Sequence, residues 1–247
     1  MTTAARFIPE LIERAAAPYR SAGRYAWHFA RGKLGGDPIF AALLEHGLLA
    51  GRSRVLDIGC GQGLLTAWLL AARADGALGR WPDGWPAAPQ PAIVHGIELM
   101  QHDIDRAEQA LAAAVQSGQA SFAAADMCDA DFGRPDAVVI LDVLHYVPVA
   151  AQDDVLRRVH AALAPGGVLV LRIGDAAAGL PFRISNWVDF IVTTLRGHRL
   201  TRLYCRPLAE WLRVLQSMGF TVRAQPMSEG TPFANVMLVA HAGAAVS

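Results

Sequence analysis

The chain has 247 residues, 53% of them hydrophobic, and its 22 basic and 22 acidic side chains cancel. That length buries one substantial core, so a large domain with an appendage is the expected organisation. A balanced charge without a Lys/Arg-rich block argues against a nucleic-acid partner, and the one local cluster, Arg196, His198, Arg199 and Arg202, is too thin to replace it.

The start MTTAARFIPE lacks a basic segment followed by an apolar stretch, so no secretory leader is expected. The apolar runs end well short of the ~20 residues of a membrane helix, so no membrane partner is expected. Cys60, Cys128 and Cys205 are scattered, and the histidines show no metal-ligand spacing. A reduced, cytoplasmic, metal-free protein is the resulting expectation. The oligomeric state is not legible.

From about Phe7 to Leu49 the pattern is helical. Asp37-Pro38 is a helix start, with Asp as cap and Pro in the first turn. Upstream, YRSAGRYAWHFARGK carries Tyr19, Tyr25, Trp27, His28 and several arginines. Tyr25 and His28 are expected to pack in a core or lid; Tyr19 and Arg31 are candidates to orient a substrate.

At Arg52 the pattern changes. SRVLDI predicts a strand, then come glycines and the helical run LLTAWLLAAR. AIVHGIEL, QASFAAAD, DAVVILD and GGVLVLRIGD predict further strands. HDIDRAEQALAAAVQ, QDDVLRRVHAALA, SNWVDFIVTTLRG and PLAEWLRVLQSMG predict helices. FTVRAQP and NVMLVAHAG close the chain as two strands joined by a turn. This alternation implies an α/β fold, a mostly parallel sheet covered on both faces, with an antiparallel strand at the end. DGALGRWPDGWPAAPQP (75–91) breaks it, being too rich in Gly, Pro and Trp for helix or regular strand. It reads as a packed surface insertion, with Trp81 and Trp85 as a candidate oligomer contact.

VLDIGCGQG (55–63) carries the most specific signal. A glycine-rich turn from strand to helix lets a ligand approach the backbone, because no Cβ blocks it. A dinucleotide loop reads GxGxxG; here Gly59, Gly61 and Gly63 follow GxGxG, and Asp57 precedes them. A carboxylate there suits an ammonium group better than a phosphate.

This segment resembles motif I of the class I S-adenosylmethionine-dependent methyltransferases, which are Rossmann-like. The resemblance implies a doubly wound seven-stranded sheet of order 3-2-1-4-5-7-6, with the last strand antiparallel and an N-terminal helical extension. It implies residues 1–50 as a helical lid and 51–247 as the methyltransferase domain. S-adenosylmethionine is the implied cofactor. Gly59 and Gly61 would pass close to its methionine part, Gly63 would complete the cofactor loop, and Asp57 would lie near its amino group, directly or through water. Glu98, ending GIELM, would accept from the ribose hydroxyls, with Leu99 beside it. In AADMCDADF, Asp126 and Met127 match the adenine-binding positions, with Asp129 or Asp131 as alternative polar partners. Pro165, Gly166 and Gly167 match a structural turn.

The acceptor is expected at the ends of the fourth and fifth strands. ILDVLHYVP (140–148) lies at the first, and resembles the family's "VLHHVP" or "LEHV" segments. His145 is the candidate base; a histidine that only fixes the loop is an equal alternative. Tyr146 is expected to point the opposite way, as adjacent strand residues do. Asp142 holds the cofactor or caps the turn. Residues 174–187 and 226–233, with Arg183 and Glu229, are further candidate walls. RGKLGGDPIF, WPDGWPAAP, ILDVLHYVP and RIGDA together resemble a bacterial subgroup found with fatty-acid- or aryl-polyene-type synthases. The implied acceptor is a small phenolic or acyl molecule, free or carrier-bound. A catalytically inactive S-adenosylmethionine-binding protein and an NAD(P)-dependent oxidoreductase are the alternatives. The second would need GxGxxG and an acid about 20 residues on.

Overall fold

The structure is a computed structural model that describes residues 4–176, 203–227 and 235–243. The chain divides into two compact units, residues 1–131 with 135–137, and residues 132–134 with 138–247. The N-terminal helices and the glycine loop belong to the same unit, so this division falls elsewhere than at residue 50.

In the first unit, α1 (Ala4–Ala16) places Phe7, Leu11 and Ala15 on one buried face, at the spacing of a helix stripe. A 3-10 turn (Ala17–Arg20) leads to α2 (Arg24–Gly36) and α3 (Pro38–Glu45). Asp37 caps α3 as expected, accepting from the Ile39 amide at 3.2 Å. Then come β1 (Arg54–Ile58), α4 (Leu64–Ala77) and β2 (Ile93–Glu98). The helix expected over 102–116 is two pieces, α5 (Gln101–Ala110) and α6 (Ala112–Gln116), because the backbone of buried Leu111 leaves the helical region. β3 (Ala120–Ala124) pairs parallel with β2, and β2 with β1.

The 75–91 stretch is partly helical, against expectation: α4 continues through Asp75, Gly76 and Ala77. Two charges account for it. The fully buried Asp75 carboxylate receives Arg14 Nε at 2.9 Å and lies 3.0 Å from Arg80, which neutralises it inside the core. At Gly76 an added Cβ would lie 2.6 Å from Ala88, so only glycine admits the returning chain. Trp81 and Trp85 pack edge-on against Phe7, ring centroids 5.2 and 5.5 Å away. The rings expected to offer an oligomer contact are thus partly spent on α1.

In the second unit, β4 (Ala137–Leu141) leads to a 3-10 turn (Leu144–Tyr146), α7 (Val149–Ala162) and β5 (Val168–Gly174). α8 (Leu208–Ser217), β6 (Phe220–Pro226) and β7 (Asn235–Ala242) follow. β7 runs antiparallel to both β5 and β6. The sheet order is β3-β2-β1-β4-β5-β7-β6, as expected. β4 and β5 are buried almost throughout, which is why they read as apolar runs, broken in β5 by Arg172 alone. Among the described residues no helix is long and apolar enough to cross a membrane.

Candidate functional site

β1 ends at Ile58, and the chain turns through Gly59, Gly61 and Gly63, all at positive φ (77°, 51° and 74°). Such a backbone strains any residue with a Cβ. The Gly59 and Cys60 amides both donate to Ile97 O, at 2.8 and 3.1 Å, which pins the loop to β2. At Gly61 an added Cβ would meet nothing within 4 Å, so the peptide there borders open space. At Gly63 it would lie 3.0 Å from the Phe122 ring. Gly61 is therefore open to a ligand, whereas Gly63 serves packing.

Gly96, which the sequence reading passed over, makes the loop possible. A Cβ there would stand 2.7 Å from Cys60 Sγ and 2.8 Å from Phe122. A glycine inside a strand is itself the signal for such an approach.

Glu98 stands at the end of β2. Its Oε2 accepts from the Gly61 amide at 3.1 Å and its Oε1 from the Met100 amide at 3.2 Å. A carboxylate has about four acceptor sites, so capacity remains for two hydroxyl donors. Asp57 is 4% exposed. Burial, and then the Glu98 charge, push its carboxyl from 3.8 up to about 8. Burial also raises the Cys60 thiol and the Tyr19 hydroxyl. Asp57 is thus mostly protonated at neutral pH, and an arriving cation would favour its ionised form.

A pH signature follows. The folded pKa of Asp57 lies above its unfolded value, so its contribution to stability is full below about pH 4 and is lost as pH rises through about 8. His95 and His145 are lowered by burial and act the other way, destabilising as pH falls below about 6.5. The difference between wild type and Asp57→Asn isolates the acid. Thermal denaturation from pH 5 to 9 should show wild type losing stability relative to the variant; parallel curves would refute it.

Leu99 is 58% exposed. Asp126 is exposed, and its Oδ1 accepts from the Cys128 amide at 2.8 Å, closing a turn that holds half-exposed Met127.

In the second unit, Asp142 is the only non-glycine residue at positive φ among those described, at 57°. Its carboxylate is gripped by both arms of Arg172, whose side chain is 3% exposed; the Nε contact is 2.9 Å. A buried arginine within VLVLRIG thus has its counter-charge on the turn after β4. His145 and Tyr146 are not in a strand, so alternation does not apply to them. The 3-10 turn sets their rings edge to face, centroids 4.3 Å apart.

A buried polar network holds this turn. Arg206, 2% exposed, donates to Gln152 Oε1 (2.8 Å), Val149 O (2.6 Å) and Asp153 Oδ1 (2.7 Å). Gln152 Nε2 donates to Val147 O (3.0 Å) and Tyr204 O (2.7 Å). The Tyr204 amide donates to His145 O at 2.8 Å. Burial holds the His145 imidazole below its usual pKa, with Asp142 opposing.

The other candidates fall apart. Arg31 pairs with Glu13 at 2.5 Å and lies over Trp27. Tyr25 is 68% exposed, against the packing expected of it, and stacks on Phe29 of the same helix. His28 is exposed as well. Tyr19 is buried with its hydroxyl on Gln62 O. Arg183, Glu229, the 196–202 cluster, the helix expected over 185–197 and most of both candidate walls lie outside the described residues.

Comparison with known proteins agrees with this geometry. Residues 56–169 match a family model described as "Methyltransferase domain". A carboxy-S-adenosyl-L-methionine synthase of Shewanella amazonensis is 30% identical over 119 residues, 48% of this chain and 43% of that one. One of Trichodesmium erythraeum is 27% identical over 120 residues, 49% and 42% of the two chains. The chain thus spans less than half the length of these curated relatives. In structure, an O-methyltransferase family protein from Burkholderia thailandensis aligns with a TM-score of 0.63 at 18% identity, over 92% of this chain and 62% of that one. A magnesium protoporphyrin IX methyltransferase from Synechocystis, with bound S-adenosylhomocysteine, aligns at 0.56 and 22% identity, over 83% and 80%. The glycine loop and the strand order agree with the family match: residues 56–169 are similar to a methyltransferase domain, and the sheet has the class I methyltransferase strand order.

Proposed function

We propose that the protein transfers a methyl group from S-adenosylmethionine to a small-molecule acceptor. One observation carries the reading. A glycine turn with open space at Gly61 lies between a buried acid, Asp57, and a strand-end carboxylate, Glu98, that already orders the Gly61 amide. Asp57 suits the amino group, Glu98 the ribose hydroxyls, and Gly59 and Gly61 the close approach of the methionine part. Leu99, Asp126 and Met127 would border the adenine. The sulfonium would supply an activated methyl group, so the chain's own residues have chiefly to orient the acceptor and take its proton. The relatives' name, a synthase of a carboxylated S-adenosylmethionine, supports the cofactor and leaves the acceptor open.

His145 is the proposed base. Burial favours its neutral form, and its backbone is held by Tyr204; a neutral imidazole can accept a proton. Asp142, paired with Arg172, shapes the turn, and its role toward the cofactor rests on the resemblance alone. The acceptor is proposed to be a phenolic or acyl intermediate of a fatty-acid- or polyketide-like pathway, free or carrier-bound. Residues 1–50 are proposed to cover the domain.

Calorimetry tests the cofactor: micromolar S-adenosylmethionine binding is expected, and tight NAD(P) binding instead would sink the reading. Label transfer from methyl-labelled S-adenosylmethionine into phenolic and acyl acceptors tests the reaction. With an accepted substrate, His145→Ala should cut turnover by ~10² and leave cofactor binding intact; unchanged turnover would leave His145 as a scaffold.

A further inference from the structure

The N-terminal segment meets the glycine loop at one buried hydroxyl. Tyr19 is fully buried in the 3-10 turn after α1, and its Oη donates to Gln62 O at 2.7 Å. Gln62 lies between Gly61 and Gly63, whose positive φ angles give the loop its shape. The same residue is held from the opposite side, its Nε2 donating to Asp103 Oδ1 of α5 at 3.1 Å. Asp103 is 7% exposed and is itself paired with Arg106. A second clip ties the segment to α5: Gln109 Nε2 donates to Ser21 O at 2.8 Å, and Ser21 Oγ to Gln109 O at 3.3 Å.

A glycine-rich turn has more conformational freedom to lose than any other backbone. Ordering it at the moment of binding would subtract from affinity, and ordering it beforehand removes that cost. Elsewhere the loop is held by backbone bonds to β2 and by Glu98. The Gln62 peptide is the part held by a side chain of the N-terminal segment.

We propose that Tyr19 is a positioning residue for the amino-acid end of the cofactor, acting through the Gln62 carbonyl. The N-terminal turn then works as a strap on the cofactor loop, besides any cover it gives the acceptor. The inference rests on the S-adenosylmethionine reading. It makes a distinction that packing alone does not. A ligand that reaches the glycine loop should feel the loss of the hydroxyl. A nucleoside that stops at the ribose should not.

The test compares S-adenosylhomocysteine with 5′-deoxy-5′-methylthioadenosine, which lacks the amino-acid part, by calorimetry on the full chain. Tyr19→Phe keeps the ring and removes only the hydroxyl. It should weaken S-adenosylhomocysteine about 10-fold, the worth of one hydrogen bond, and leave the nucleoside Kd unchanged. Unchanged affinity for both ligands would overturn the proposal, and so would an equal loss for both. If Tyr19→Phe does not fold, Gln109→Ala loosens the second clip without touching the buried ring. It should give the same selective loss at about 3-fold; a non-selective result or none would again overturn it. Wild-type protein that binds the nucleoside but not S-adenosylhomocysteine would remove the underlying reading and this inference together.

Discussion

Glu98→Ala should weaken S-adenosylhomocysteine binding about 10³-fold. Two hydrogen bonds from ribose hydroxyls to a charged acceptor are each worth about 1.5–3 kcal/mol, and both disappear. The loop is affected too, because Glu98 accepts from the Gly61 amide on one side and the Met100 amide on the other. Glu98→Gln is the sharper control. It preserves size, but its amide nitrogen would confront one of those two N–H groups, donor against donor. Its loss should fall between wild type and alanine. Removing the Glu98 charge also removes one of the two causes that raise the Asp57 carboxyl. The Asp57 contribution to the pH–stability profile should therefore move to lower pH in both variants. Calorimetric titration at pH 7 checks the affinity; a change below about 10-fold would exclude the two-bond ribose role.

Arg206→Met should cost about 2 kcal/mol of stability. The substitution fills much of the volume and keeps an apolar contact with Trp211, over whose ring the guanidinium lies at 4.9 Å. What it removes is donors. Asp153 and Glu210 remain about a third exposed and find water. Val149 is 41% exposed and its carbonyl finds water, but Gln152 Oε1, on a fully buried side chain, loses its partner, and an unpaired buried acceptor costs about 1–3 kcal/mol. Lysine should recover only part, since a single ammonium cannot reproduce the fork that reaches Gln152, Val149 and Asp153 together. Urea denaturation measures this, and a loss below about 1 kcal/mol would show the network to be decorative. Its functional meaning lies one bond further on. Gln152 holds Val147 O and Tyr204 O, and Tyr204 holds His145 O. A loosened network should reduce the turnover of a His145-dependent reaction beyond what the stability loss explains.

Particular residues show where sequence reading reached and where it stopped. VLDIGCGQG was legible because its meaning is local: a strand, a turn that needs positive φ and a helix occupy nine successive positions. Asp37 at the head of α3 was legible for the same reason, its acceptor lying two residues on. At 144–146 local reasoning misled. Strand alternation was extended past Leu141, where a 3-10 turn brings the two rings together. Gly96 carried a signal that went unused, a glycine inside a strand. The contact made by Tyr19 carries no local signal. Its partner is 43 residues away and is a backbone carbonyl, which has no sequence signature.

The sequence by itself determined the α/β alternation, the strand order through its family resemblance, and the glycine loop with its flanking acids. Each depends on periodicity or turn chemistry within a few residues, and side-chain direction along a helix or strand is set by that spacing. Only the tertiary structure decided which buried charges meet. Asp75 takes Arg14 from 61 positions away, Asp142 takes Arg172, and Arg206 takes Gln152. It also decided that the Asp57 carboxyl is pushed up, since that depends on how much water the packed chain excludes and on the nearby Glu98 charge. A charge in a low-dielectric interior must find a partner or lose its charge, and the partner is chosen by the fold.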